Sequence, residues 1–172
     1  TKACYDAAAE GIVLLKNERH TFPICEELTA PILVAGSGVK GFLSCGSGSA
    51  GITTNRNTDL LTCLKASFGA DRIIAAEDTK SAAALLQTRS FSHIIVVSTV
   101  PGMEGNDRND LLLPKEDRKL LQMLKECRPE QTRISLVLNT CGPVETAAYE
   151  ELLDAIFCVF LPGMEGAHAL VD

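Results

Sequence analysis

The sequence predicts an α/β fold, a three-layer α/β/α sandwich around a mainly parallel sheet of about five or six strands. Three observations lead there. Short β-branched apolar runs recur along the chain, and segments of helical spacing separate them. The runs are also nearly continuous rather than alternating, as strands covered on both faces require. The composition agrees: 172 residues, 46% hydrophobic and 22% charged, suit a globular domain that buries about 70% of its unfolded surface. No Pro-rich, Gly/Ser-rich or charged linker divides the chain, so residues 1–172 are read as one domain.

In chain order, Ala3, Ala7, Ala8, Gly11, Ile12 and Leu15 have helical spacing and pass into an apolar run at 12–15, predicting a helix that enters a strand or turn. Residues 31–35 form a β-branched run ended by glycine. Similar runs at 72–75, 93–98, 133–138 and 155–161 complete five visible strands. Helices are predicted over 58–68, with Leu60, Leu61, Leu64 and Phe68 on one face, over 78–89, and over 115–128, with Leu120, Met123, Leu124 and Cys127 together. A last helix begins near 167. In a parallel sheet the carboxyl ends of the strands share one edge, where ligands bind. The conspicuous loops at 36–51, 101–113, 141–143 and 162–166 are therefore expected to cluster there.

Several function classes are excluded by composition. The longest apolar run, 155–161, is far shorter than the ~20 residues of a membrane helix, so no membrane partner is expected. The formal charge is -6, with no basic stripe to meet phosphates, which argues against nucleic acid. Seven cysteines show no CxxC or CxxH spacing. No metal site is expected, most cysteines read as small hydrophobes, and a reducing, cytoplasmic setting follows. A chain that starts at Thr1 and stops at Asp172, just past a helix start, reads as a piece of a longer polypeptide.

The candidate motifs lie on the predicted loops. Gly36 to Gly41 spells GxGxxG after a strand, the pattern of a dinucleotide site. The following stretch is too rich in Gly and Ser to open the required helix, and no acidic residue ends a second strand at the right distance. Gly46-Ser47-Gly48-Ser49 reads either as a loop whose bare backbone approaches a ligand or neighbouring domain, or as plain surface. Pro-Gly-Met-Glu-Gly occurs twice, at 101–105 and 162–166. Glu165 directly precedes a predicted helix and suits its dipole. Glu104 instead sits on a long polar loop at the ligand edge, positioned to enter a cleft, with Asp107 and Arg108 able to pair or to brace the loop. No GxSxG elbow occurs, and Cys141 has no predictable partner among His20, His93 and His168.

Residues 104–114, Glu-Gly-Asn-Asp-Arg-Asn-Asp-Leu-Leu-Leu-Pro, resemble the EGxDRxxLxLP loop in the second, α/β-sandwich domain of glycoside hydrolase family 3. The resemblance covers nearly the whole chain. Residues 8–17, AAEGIVLLKN, look like the family's opening AxEGIVLLKN. Gly46 to Ser49 are similar to its GSGS loop, Gly142-Pro143 to its strand-end GP, and 161–169, LPGMEGAHA, to its LPGxEGGxA. Thr21-Phe-Pro-Ile24 departs from the family's LPL, and Cys45 and Cys141 stand at small-residue positions.

The resemblance implies the second domain of a retaining, exo-acting hydrolase of the β-glucosidase or β-xylosidase type. Its substrate would be a β-linked oligosaccharide or aryl glycoside, and it would need no cofactor. Glu104 is implied as the acid/base. The nucleophile would be an Asp of a partner TIM-barrel domain, for which this chain has no SDW-like motif, so it is expected to be inactive alone. Gly46, Ser47, Gly48, Ser49, Asp107 and Arg108 would line or support the cleft. Two alternatives stay open from the residues alone: a non-catalytic ligand- or nucleotide-binding α/β module using 36–41, and a structural sandwich in which Glu104 has no chemical role.

Overall fold

The computed structural model describes residues 2–24, 30–53, 59–103 and 105–172. Thr1 and Glu104, named above, one of the seven cysteines, Cys25, and the first position of the helix predicted over 58–68 lie outside the described residues. All five predicted strands form, and the apolar run after the first helix supplies a sixth. After α1 (Lys2–Gly11) come β1 (Val13–Asn17), β2 (Ile32–Ala35), a single turn α2 (Gly38–Gly41), α3 (Leu60–Phe68), β3 (Ile73–Ala75) and α4 (Thr79–Thr88). Then follow β4 (His93–Val100), α5 (Lys115–Glu126), β5 (Arg133–Thr140), β6 (Ala155–Cys158) and α6 (Gly166–Val171). The sheet order is β1-β6-β5-β4-β2-β3, with β1 antiparallel to β6 and every other pairing parallel.

Sequence dictates the helix starts. Asp59 accepts the Thr62 amide at 3.0 Å at the head of α3, and Asp78 and Ser81 form a reciprocal capping box at the head of α4. The two faces of the sheet then bury separate apolar sets. Leu33, Ile94, Val96 and Leu136 pack with α4 and α5, while Val34, Ile95, Val97 and Val137 pack with α3 and α6. This alternation makes three layers, and β4, buried at every residue, lies at their centre. The edge strand β1 differs, leaving Val13, Leu14 and Leu15 exposed.

Two expectations change. A helical turn does form inside the glycine-rich stretch, at α2, because Gly36 and Gly38 let the backbone settle directly on β4. A Cβ on Gly36, whose φ is +103°, would lie 2.5 Å from the Val97 carbonyl oxygen, and one on Gly38 would run into Val97 Cγ1. The cysteines also divide differently. Cys63 and Cys158 are buried as small hydrophobes, and burial pushes both thiols up, whereas Cys4, Cys127 and Cys141 are exposed. Among the described residues no helix is long and apolar enough to cross a membrane, and no three His, Cys, Asp or Glu converge as metal ligands.

Candidate functional site

The order β3-β2-β4 contains a reversal of chain direction across the sheet: from β2 the chain steps outward to β3, then crosses back to β4. The loops leaving β2 and β4 thus depart toward opposite faces, the topological switch point at which ligands bind in open α/β sheets. Those are the loops that carry Gly46 to Ser49 and residues 101–114. The two loops touch: Ser47 and Met103 form a parallel bridge, and Ser47 Oγ donates to the Gly102 carbonyl at 3.2 Å. Gly48 takes φ +69° and opens a short 3-10 turn, Gly48–Ala50, which includes Ser49, while Gly46 lies against Ala50 and Leu161.

The loop after β4 is tied just as firmly to the loop after β5. Arg108 donates to the carbonyls of Pro143 at 3.1 Å and Asp110 at 3.0 Å, and the Glu145 amide donates to the Leu111 carbonyl at 2.8 Å. Arg108 therefore braces its loop through backbone oxygens and not through Asp107, which is exposed. Gly102 packs against Cys141, so closely that a Cβ there would overlap its Sγ. On the other flank the Gly163 amide donates to the Ser44 carbonyl at 2.8 Å, joining the β6 loop to the β2 loop. All four loops meet at one edge. Met103 and Gly105, the sequence neighbours of Glu104, are exposed, and Met103 and Asn106 form an antiparallel bridge. Glu165 lies apart, paired with His168 at 3.3 Å at the start of α6.

A family model described as the glycosyl hydrolase family 3 C-terminal domain matches residues 12–172. The chain belongs to this family. Thermostable β-glucosidase B of Acetivibrio thermocellus is 29% identical over 96% of the chain, and probable β-glucosidase E of Aspergillus clavatus 26% over 96%. Probable β-D-xylosidase 6 of Arabidopsis thaliana is 25% identical over 99%. The chain spans 23%, 19% and 23% of these relatives, respectively. Among solved structures, β-glucosidase 3B of Thermotoga neapolitana in complex with glucose superposes with TM-score 0.80 at 22% identity, covering 99% of this chain and 28% of that one. β-Glucosidase D2-BGL of Chaetomella raphigera gives 0.84 at 21%, covering 99% and 27%. These two likenesses establish the fold.

Two buried polar residues of this family 3 domain, not singled out from sequence, hold the loops in place. Asp117, 1% exposed in the first turn of α5, accepts from the Ser37 amide at 2.7 Å, the Ser37 hydroxyl at 2.6 Å and the Ser98 hydroxyl at 2.6 Å. It thereby pins the first residues of the β2 loop to β4. Asn139, fully buried at the end of β5, bonds to Leu43 and Phe160. The signal lies in the periodicity: Asp117 has helical spacing with Leu120, Leu121 and Leu124 on the buried face of α5, and Asn139 continues the buried run of β5, where a polar group needs partners.

Proposed function

We propose that this family 3 domain is the second domain of a longer retaining, exo-acting glycoside hydrolase, in which it supplies Glu104 as the acid/base and one wall of the substrate cleft. The observation that carries the reading is the junction of the β2 and β4 loops at the sheet's carboxyl edge, where Ser47 holds Gly102 and Met103, the two residues directly before Glu104 in sequence. A carboxylate following that anchor starts from a fixed backbone at the ligand edge, as catalysis by positioned groups demands. The exposed apolar side chains Ile52, Met103, Leu111, Leu112 and Phe160 lie on loops of this same edge and suit coverage by a partner barrel domain.

Retaining hydrolysis needs two carboxyl groups about 5–5.5 Å apart. In the first step the barrel's Asp attacks the anomeric carbon while protonated Glu104 gives its proton to the leaving oxygen, so the glycosidic bond breaks and an ester forms. In the second, ionised Glu104 takes a proton from water as the water oxygen attacks the same carbon and releases the Asp. The substrate class is a β-linked oligosaccharide or aryl glycoside, and the 172-residue chain alone, without the nucleophile, turns over nothing.

The test uses the full-length protein with Glu104→Gln on a nitrophenyl β-glucoside, with and without azide. An activated leaving group needs little acid help, so glycosylation survives and deglycosylation slows by about 10²–10⁴-fold. Azide, which needs no base, restores turnover and yields the β-glycosyl azide. Unchanged activity in Glu104→Gln removes Glu104 from the chemistry.

A further inference from the structure

We propose that Asn139 is a positioning residue for the acid/base loop, acting through the β2 loop on the two residues that precede Glu104; the inference rests on the reading of Glu104 just given. Asn139 faces Thr99 in register at the carboxyl ends of β5 and β4 and is completely shielded from solvent. Its Oδ1 accepts from the Leu43 amide at 2.6 Å and from the Thr99 hydroxyl at 3.3 Å. Its Nδ2 donates to the Leu43 carbonyl at 2.9 Å and the Phe160 carbonyl at 2.7 Å. A carboxamide has two acceptor sites and two N–H donors, and here all four are used, which also fixes which way the amide points.

Both polar groups of the Leu43 peptide are thus satisfied by one side chain, as a neighbouring strand would satisfy them. Phe160 is held in the same grip at φ +50°, a conformation costly for a bulky residue and sustained only by surrounding contacts. From Leu43 the constraint passes along the chain. Ser44 receives the Gly163 amide, and Ser47 bridges to Met103 and to the Gly102 carbonyl. Glu104 is the next residue. Asp at 139 would keep the acceptor for the Leu43 amide but set a carboxylate against two carbonyl oxygens. An apolar residue would lose all four bonds. Proper alignment of a catalytic group is worth about a hundredfold per ångström of misplacement.

The experiment measures kcat/KM of the full-length protein on dinitrophenyl β-glucoside, which needs no acid, and on phenyl β-glucoside, which does. It compares Asn139→Asp, Ser47→Ala and Glu104→Gln with wild type, and follows amide exchange in peptides covering 43–47 and 102–106. For Asn139→Asp the expected result is a loss of about tenfold to a hundredfold on the phenyl glucoside, at most about threefold on the dinitrophenyl glucoside, and faster exchange in both peptides. Equal losses on the two substrates mean only that less enzyme is folded, and overturn the proposal. If Asn139→Asp does not fold, Ser47→Ala decides, because Ser47 is exposed and its hydroxyl is one of the two links to residues 102 and 103, the backbone bridge to Met103 being the other. A smaller but still selective loss on the phenyl glucoside supports the relay, and no selectivity overturns it. Should Glu104→Gln itself fail to discriminate between the leaving groups, the acid/base reading falls on its own evidence. Faster exchange at 102–106 in Asn139→Asp then keeps the relay, and unchanged exchange overturns that too.

Discussion

The three glycines of Gly36 to Gly41 have the same spacing as a dinucleotide fingerprint, yet their surroundings assign them unequal roles, and alanine substitution at each separates packing from ligand binding. At Gly36 an added Cβ meets backbone only: the Val97 carbonyl oxygen at 2.5 Å and the Val97 carbonyl carbon and nitrogen at 3.2 Å each. Those atoms belong to the central strand and cannot swing away, and φ +103° is itself unfavourable for alanine, so the cost is about 3 kcal/mol or more. At Gly38 the obstacles are Val97 Cγ1, Thr99 Oγ1 at 2.9 Å and Val97 Cβ at 3.0 Å. Overpacking of about 1–3 kcal/mol, offset by roughly 0.5–1 kcal/mol of better helix propensity, leaves a net loss of up to about 2.5 kcal/mol, smaller than at Gly36. At Gly41 nothing lies within 4 Å, so alanine is neutral or stabilising by a few tenths of a kcal/mol. Urea unfolding, with midpoints and m-values compared across the three variants, is the assay. Val97→Ala removes Cγ1, so the double variant with Gly38→Ala is expected to be more stable than additivity predicts by about 1–2 kcal/mol. A flat response across the series, or Gly41→Ala as harmful as Gly36→Ala, refutes the packing account. Loss of NAD or ATP binding without loss of stability would favour the nucleotide module instead.

The remaining predictions concern charge and the site loops. His93 is buried at the start of β4, and burial first, then the nearby Arg133 and Arg72, hold its imidazole below the ordinary value despite a bond that the ring donates to the Thr21 backbone and the nearby Asp154 carboxylate. The unfolded chain binds this proton more readily than the folded one, so stability is full above the unfolded value of about 6.5 and declines as pH falls below it. His93→Gln flattens that part of a thermal-unfolding pH profile, while an unchanged slope assigns the loss to other groups. Asp154, 3% exposed at its side chain, accepts the Ile134 amide at 2.8 Å and Arg19 Nε at 2.7 Å, with Arg128 at 3.4 Å. Asp154→Ala strands the Ile134 amide and costs about 1–3 kcal/mol, with little added by the half-exposed arginines; a loss under about 0.5 kcal/mol in urea contradicts this. Arg108→Ala frees two backbone carbonyls that water then solvates. It is expected to leave the unfolding midpoint nearly unchanged while amide exchange across 105–113 accelerates, and unaltered exchange there would refute the bracing role.

Most of the fold was legible because its signals are local. The runs that become β2, β4, β5 and β6 are apolar without alternation, and Asp59 and Asp78 mark helix starts within a residue or two of where they occur. Strand order was not legible, since no local pattern in residues 32–35 or 73–75 says that β3 lies outside β2 rather than beside β4. The turn at Gly38–Gly41 was missed for a related reason: glycine lowers helix propensity, and only the contact with Val97, remote in sequence, overrides it. At the site, Gly46 to Ser49 and the 101–114 loop were visible as unusual composition, but their attachment through Asn139 and Asp117 joins residues 96 and 80 positions apart. Asp107 and Arg108 looked equivalent as a charged pair, and only the position of the Pro143 carbonyl separates their roles.

The division between rigid and adaptable parts follows from what such a cleft must do. A group that is protonated in one step and ionised in the next has to remain within hydrogen-bond reach of two different oxygens, the leaving one and that of water, without drifting between steps. A long loop alone does not meet that demand, because each of its residues keeps conformational freedom. Here the freedom is removed at a few points and left elsewhere. Asp117 holds the first turn of the β2 loop, Asn139 its middle, Ser47 couples it to residues 102 and 103, and Arg108 anchors the far side of the β4 loop to Pro143. Among the described residues between Met103 and Arg108, Gly105 takes φ +75° and Asn106 and Asp107 are exposed, while Ser47 holds Met103 and Pro143 holds Arg108. On the proposed reading, those ties leave residues 102, 103 and 108 fixed on either side of the catalytic position, which is what a proton donor facing a second domain requires.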